Sequence, residues 1–231
     1  MWHKPHCEVH SARGSGFCPL LITSVTVTPP PEFHRVSAGI WIWHRYDGGV
    51  KTDVFSTALA TDAGVFLIDP IAPPPPELEL ALAGSTVAGA IITNGNHARA
   101  AADFAREHAT PIYARRRAEQ HLGLEQVCEL EAGSALACDL TALLIDGAAP
   151  GEIALHCTRD GGTLVMGDAL INMGSQGFAF LPAKYCENVK LMRRSLRSLL
   201  DYEFQRLLFA HGTPIVTRAR SRLAELLDRQ D

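Results

Sequence analysis

The stretch AGAIITNGNHARAAADFAREH, from Ala88 to His108, limits the possible folds more than any other part of the chain. A short apolar run, a knot of polar residues and an alanine-rich segment at helical spacing predict a buried strand over Val87 to Thr93, a tight loop, and a helix over Ala98 to His108. A further short strand, Pro111 to Ala114 (PIYA), follows at once. Strand, helix and strand in this order put the two strands side by side and parallel.

The chain before this unit reads differently. Val36 to His44 (VSAGIWIWH) alternates Ile40, Ile42 and His44 against Trp41 and Trp43, as a half-buried strand does. The turn Asp47-Gly48-Gly49 leads to a strand at Val54 to Thr61, and Asp62-Ala63-Gly64 leads to another at Val65 to Asp69, so this region opens with antiparallel hairpins. Pro73 to Pro76 stiffen the lead into a helix near Glu77, because proline suits only the first turn of a helix. Past Gly147 the same scheme returns. Strands are predicted at Glu152 to Thr158 and Thr163 to Met166, divided by Asp160-Gly161-Gly162. Val189, Met192, Leu196, Leu199 and Leu200 then repeat at helical spacing, and a short strand spans Arg206 to Ala210. The closing helix carries Leu223, Leu226 and Leu227 on its apolar face, with Pro214 near its first turn. Two similar halves, each of hairpins followed by helices, predict an α+β fold packed as a four-layer αββα sandwich. Residues 1–28 read as a loose extension holding His3, His6, Cys7 and His10, and residues 29–231 as one domain.

Composition narrows the function. A net charge of −4 offers no basic face for nucleic acid. No apolar run approaches the ~20 residues of a membrane span. Six scattered cysteines without a C-x-x-C pair point to a reduced, cytoplasmic protein. Phe17 to Thr28 makes a poor secretion signal, because Pro19 interrupts it and no small-residue cleavage site follows.

Five segments, in order, resemble the metallo-β-lactamase superfamily: VFLIDP (Val65 to Pro70), IITNGNHARAAADFAREHATPIYA (Ile91 to Ala114), DGAAPGEIALH (Asp146 to His156), LVMGDAL (Leu164 to Leu170) and FAHGTPI (Phe209 to Ile215). The resemblance runs from Val36 to about Leu227 and implies that family's αββα fold. It also implies a metal site built from H-x-H-x-D-H, a histidine before Pro-Gly, the aspartate of Gly-Asp and a last histidine before glycine. Laid on this chain, the motif histidines fall on Asn94 and Asn96, its aspartate on Ala98, its closing histidine on Arg99, and the histidine before Pro150-Gly151 on Ala148. Asp168 and His211 survive.

Neutral amides are poor substitutes for imidazole at a zinc-class ion, and two ligands do not close a tetrahedral site. The expectation is therefore a degenerate site without the standard metal pair, in a hydrolase homologue that is inactive or works otherwise and uses the old cleft for a small-molecule ligand. The alternative is an active hydrolase, either metal-independent or holding one zinc or iron ion through His97, Asp168 and His211, with His97 displaced from a spacer position that should point elsewhere. In the first reading Arg99 replaces the metal as counter-ion to Asp168, with Asn94, Asn96 and His211 completing a network, or Asn94 simply caps the helix. Asp69 fixes loop geometry beside the cleft. Ile171 to Cys186 is expected to arch over it, either as plain packing or offering Lys184 and Tyr185, with Phe178 and Phe180, to a ligand. His156 is expected on the surface, and His34, His44, His108 and His121 carry no partner at an informative spacing.

Overall fold

A computed structural model describes residues 30–118, 124, 126–174 and 177–229. The expected extension at 1–28 and His121 lie outside these residues.

Seven strands form the first sheet in sequence order: β1 (Glu32–Ser37), β2 (Ile40–Asp47), β3 (Thr52–Thr61), β4 (Gly64–Ile68), β5 (Val87–Ile91), β6 (Ile112–Ala114) and β7 (Val127–Glu129). Pairing is antiparallel as far as β4 and parallel from β4 to β7. The switch occurs where the crossovers α1 (Pro76–Leu82) and α2 (Ala101–Glu107) enter. One expectation fails in detail: Val36 to His44 is two strands, not one. Gly39, at φ +74°, turns the chain between β1 and β2 in a conformation that suits glycine, while the alternation runs on through the turn and hides it.

The second sheet, in spatial order, is β14 (Arg206–Phe209), β11 (Thr163–Met166), β10 (Ile153–Cys157), β9 (Leu140–Leu144) and β8 (Ala135–Ala137). A separate ribbon of β12 (Leu170–Met173) and β13 (Gly177–Phe180) occupies much of the segment expected as an arching loop. Two further helices, α3 (Val189–Ser198) and α4 (Ala219–Asp228), follow.

Three apolar layers hold these elements as the αββα sandwich. Leu59, Phe66, Ile68 and Ile91 of the first sheet meet Leu155, Val165 and Leu208 of the second. Leu78, Leu82 and Phe104 of α1 and α2 cover the outer side of the first sheet against Trp43, Val54 and Leu67. Met192, Leu196, Leu223 and Leu227 of α3 and α4 cover the second sheet against Leu164, Met166 and Leu207. Burial of this kind contributes about 25 cal/mol per Å² of apolar surface. His156, expected on the surface, is buried at 8% exposure, with its Nε2 2.9 Å from the Glu203 carbonyl oxygen. No helix among the described residues is long and apolar enough to cross a membrane.

Candidate metal centre

Two parallel strand pairs bring the site together. β4 and β5 run side by side, so the residues after them, Asp69 and Thr93, emerge together. β11 and β14 do the same in the second sheet and deliver Asp168 and His211. Main-chain bonds then join the sheets at these ends: Gly95 N donates to the Pro150 carbonyl at 2.8 Å, Ile153 N to Thr93 at 2.8 Å, and Phe55 N to Ala210 at 2.9 Å. Two glycines permit the close approach. A Cβ on Gly167 would lie 2.7 Å from both Glu152 Oε1 and Thr93 Oγ1, and one on Gly212 would strike the Asn172 carbonyl.

His97 is the centre of the resulting cluster. The spacer position, expected to point elsewhere, turns inward because the Asn94 side chain folds back to accept from Asn96 N at 2.9 Å, tightening the loop. Asn94 therefore caps this turn and not α2, which begins at Ala101. His97 Nδ1 lies 2.8 Å from Asp69 Oδ2, and its Nε2 lies 3.2 Å from Asp168 Oδ1. His211 Nε2 approaches the same Asp168 oxygen at 3.3 Å. Asp69 also accepts from Thr93 N at 2.8 Å and Thr93 Oγ1 at 2.5 Å, so it anchors the loop as expected while holding the imidazole in place.

Arg99 is not the direct counter-ion of Asp168. Its guanidinium donates to the main-chain carbonyls of Phe55 and Asp69 and reaches that of Ala210 at 3.5 Å, clamping β3 to the ends of β4 and β14. His97 takes the expected counter-ion role. A longer side chain on a loop residue at φ +40° carries the Arg99 charge past the cluster to the carbonyls behind it. Asn96 is exposed at the loop surface. Lys184 and Tyr185 sit on an exposed helical turn, Ala183–Tyr185, with Lys184 Nζ 4.6 Å from the centre of the Tyr185 ring.

Sequence reasoning missed Glu152. It is fully buried, accepting from Asn94 Nδ2 at 2.8 Å and Ala169 N at 2.9 Å. An acidic residue between Pro150-Gly151 and the mostly apolar strand IALHC was the available signal.

The charges settle one another. Burial pushes the Glu152 carboxyl up, and the neighbouring Asp168 charge adds to this, to about 8. Burial opposes the charged form of His97, but the Asp168 and Asp69 carboxylates outweigh it and raise the imidazole to about 9. Burial likewise works against charged Asp168, yet His97 and the hydrogen bond from His211 hold its carboxyl well below the usual range.

These residues also fit an ion. Zinc bonds of ~2.0–2.1 Å in a tetrahedral shell imply donor separations of roughly 3.3–3.4 Å. The two histidine-to-Asp168 separations, 3.2 and 3.3 Å, match that shell, and the chosen ligand atoms of His97, Asp168 and His211 all lie within 4.8 Å of one another. Asp69 behind His97 supplies the outer carboxylate that commonly fixes a metal-binding imidazole.

A sequence profile described as the metallo-beta-lactamase superfamily matches residues 33–229, most of the chain. The chain belongs to the metallo-beta-lactamase superfamily. Among solved structures, the DIM-1 metallo-beta-lactamase shares its fold with a TM-score of 0.70 at 13% identity, over 88% of this chain and 99% of that one. The FIM-1 metallo-beta-lactamase from Pseudomonas aeruginosa, solved in a mono-zinc form, gives 0.67 at 13% identity, over 87% and 96%. TTHA1623, solved in a di-iron-bound form, gives 0.55 at 24% identity, over 78% and 97%. No curated protein matches the chain. Metallo-beta-lactamase-fold proteins thus include both zinc and iron binders, and this member keeps one candidate metal-ligand group in the site where its sheets meet.

Proposed function

We propose that this chain is a metallo-β-lactamase-fold hydrolase reduced to a single-ion site, with one zinc-class ion held by His97, Asp168 and His211 and a small molecule as substrate. The convergence of two imidazole nitrogens on one Asp168 oxygen, at separations suited to a shared ion, carries this reading. It favours the single-ion alternative over an ion-free cleft.

When bound, the ion would supply Lewis acidity toward water and toward a carbonyl or phosphoryl oxygen. The chain's own residues do the rest. Asp69 accepts the Nδ1 proton of His97 and leaves Nε2 facing Asp168. Arg99 ties β3 to the end of β4, which helps set the spacing of the cluster. Asn94, bonded to Glu152, stands where the family pattern would put a histidine, so the imidazoles of a second-ion set are missing on that side. The four described cysteines are all free, which supports a reducing, cytoplasmic setting.

A competing reading rests on the same contacts. With a proton on both ring nitrogens, His97 bridges Asp69 and Asp168 and satisfies both carboxylates without an ion, leaving a binding module. Metal content separates the two. After zinc loading and a gel filtration that strips weakly held zinc, the wild type should retain one tightly bound ion per chain, and D168A, H211A and H97A should each retain far less. Retention well below one ion by the wild type, or undiminished retention by all three variants, would refute the single-ion site.

A further inference from the structure

The register of the first hairpin produces a second group of metal-ligating side chains that the motifs did not reveal. Glu32 in β1 pairs directly with His44 in β2, and His34 follows two residues later on the same face. Glu32 Oε2 lies 3.7 Å from His44 Nε2 and 3.8 Å from His34 Nε2. One ligand atom from each of these three residues lies within 4.8 Å of the other two. Neither histidine has an informative neighbour in sequence, because the contact is made across the hairpin and not along it.

A second observation shows that His44 is set in place. Its ring stacks on Phe55 at 4.4 Å between centroids, and the His34 ring stacks near it at 5.5 Å and 14° between planes. Its Nδ1 is shut away from solvent without a hydrogen-bond partner. The nitrogen left to work is Nε2, facing Glu32. Glu32 and His34 are instead well exposed, at 72% and 53%, and free to close the few tenths of an ångström that separate them from tetrahedral donor spacing.

We propose that Glu32, His34 and His44 form a second, surface metal site for a borderline divalent ion of the zinc class, pinning the edge strand β1 to β2. Two imidazoles and one carboxylate make a three-ligand set with a position open to solvent. Phe55 links this site to the first, since its ring carries His44 while its carbonyl receives Arg99. The inference does not depend on the buried site holding an ion.

Calorimetric titration of the full chain with zinc tests it, in a background where H3A/H6A/C7A/H10A silences the N-terminal tract. The expected result is a second, weaker equivalent that survives H211A. E32Q and H34A, both at exposed positions, should each weaken that equivalent by about tenfold or more and leave the tighter one unchanged. The proposal is overturned if the only equivalent is the one H211A removes, or if the second keeps its affinity in both E32Q and H34A. Loss of the tighter equivalent alone would count against the buried site and leave this one standing.

Discussion

Replacing Asp69 by asparagine isolates the charge that organises the buried cluster. Asp69 sits at φ +47°, a conformation asparagine tolerates nearly as well as aspartate, so the substitution adds little backbone strain of its own. Its two oxygens receive three donors: Thr93 N on one, and Thr93 Oγ1 with His97 Nδ1 on the other. An amide has a single oxygen. If that oxygen faces His97, the new amino group meets Thr93 N–H, donor against donor. If it faces Thr93 N, the amino group meets His97 Nδ1 and drives the ring proton to Nε2, where it points at Asp168 and blocks the lone pair a metal requires. Either way a bond to a buried charge is lost. Such bonds contribute ~1.5–3 kcal/mol, and breaking one side of a buried ion pair costs ~3–5 kcal/mol. We take ~3 kcal/mol, which for a chain of this size corresponds to a fall in Tm of roughly 6–12 °C. Zinc affinity should fall by about 10–100-fold through the misdirected ring. Thermal unfolding with EDTA measures the first quantity, and competition with a chromogenic chelator on the folded variant measures the second. Asp69→Asn stability within about 1 kcal/mol of the wild type, together with unchanged zinc affinity, would refute the orienting role.

Two further outcomes follow from the same charges. In the ion-free protein the pKa values of Glu152 and His97 are raised, from 4.5 to about 8 and from 6.5 to about 9, so the stability each contributes is complete below the lower value of its pair and is lost as pH rises through the upper. Asp69 and Asp168 are lowered and lose their contribution only as pH falls below the ordinary carboxylate range. Tm measured with EDTA should therefore decline from about pH 5 to pH 9, and a flat or rising curve would contradict the assignment. The variant E152Q is neutral at every pH and leaves one donor facing another, a cost of about 1–3 kcal/mol at pH 5. That cost should shrink by pH 8, where the wild type carries its own buried charge; a penalty that stays flat or grows from pH 5 to pH 8 would contradict a raised Glu152.

Much of the fold was legible because its periods are strong. The hairpins, the βαβ passage and the Leu223, Leu226, Leu227 face of the closing helix all follow from alternation or helical spacing. What was lost is instructive. β8 and β9, around Ala135 to Leu144, are short and carry too little pattern to declare themselves. The β1–β2 turn hid inside a continuing alternation. In the site, residue types at motif positions single out the loop, Asp168 and His211, which the structure brings together, but side-chain direction depends on how Asn94 folds the loop, which no spacing rule encodes. His97 accordingly takes the counter-ion place expected of Arg99, and Arg99 clamps main-chain carbonyls instead. The partners of Glu152 come from a distant segment, so spacing alone flags the residue but not its role, and the Glu32–His44 pairing depends on the register of a hairpin whose turn was hidden.

The replacements around the loop make sense as a set once charge is counted. Asp69 and Asp168 are buried acids that must be balanced, because an uncompensated charge in the interior costs several kcal/mol. Arg99, held by three carbonyls, is a permanent cation, and His97 between the two aspartates is a second. Glu152, raised to about 8, adds no charge at neutral pH. Two negatives then meet two positives, and the cluster is neutral before any ion arrives. An incoming dication must evict the proton of His97, since an imidazolium cannot act as a ligand. Ion uptake at this site is therefore an exchange with a proton, and it grows easier as pH rises, in the direction in which the ion-free fold weakens.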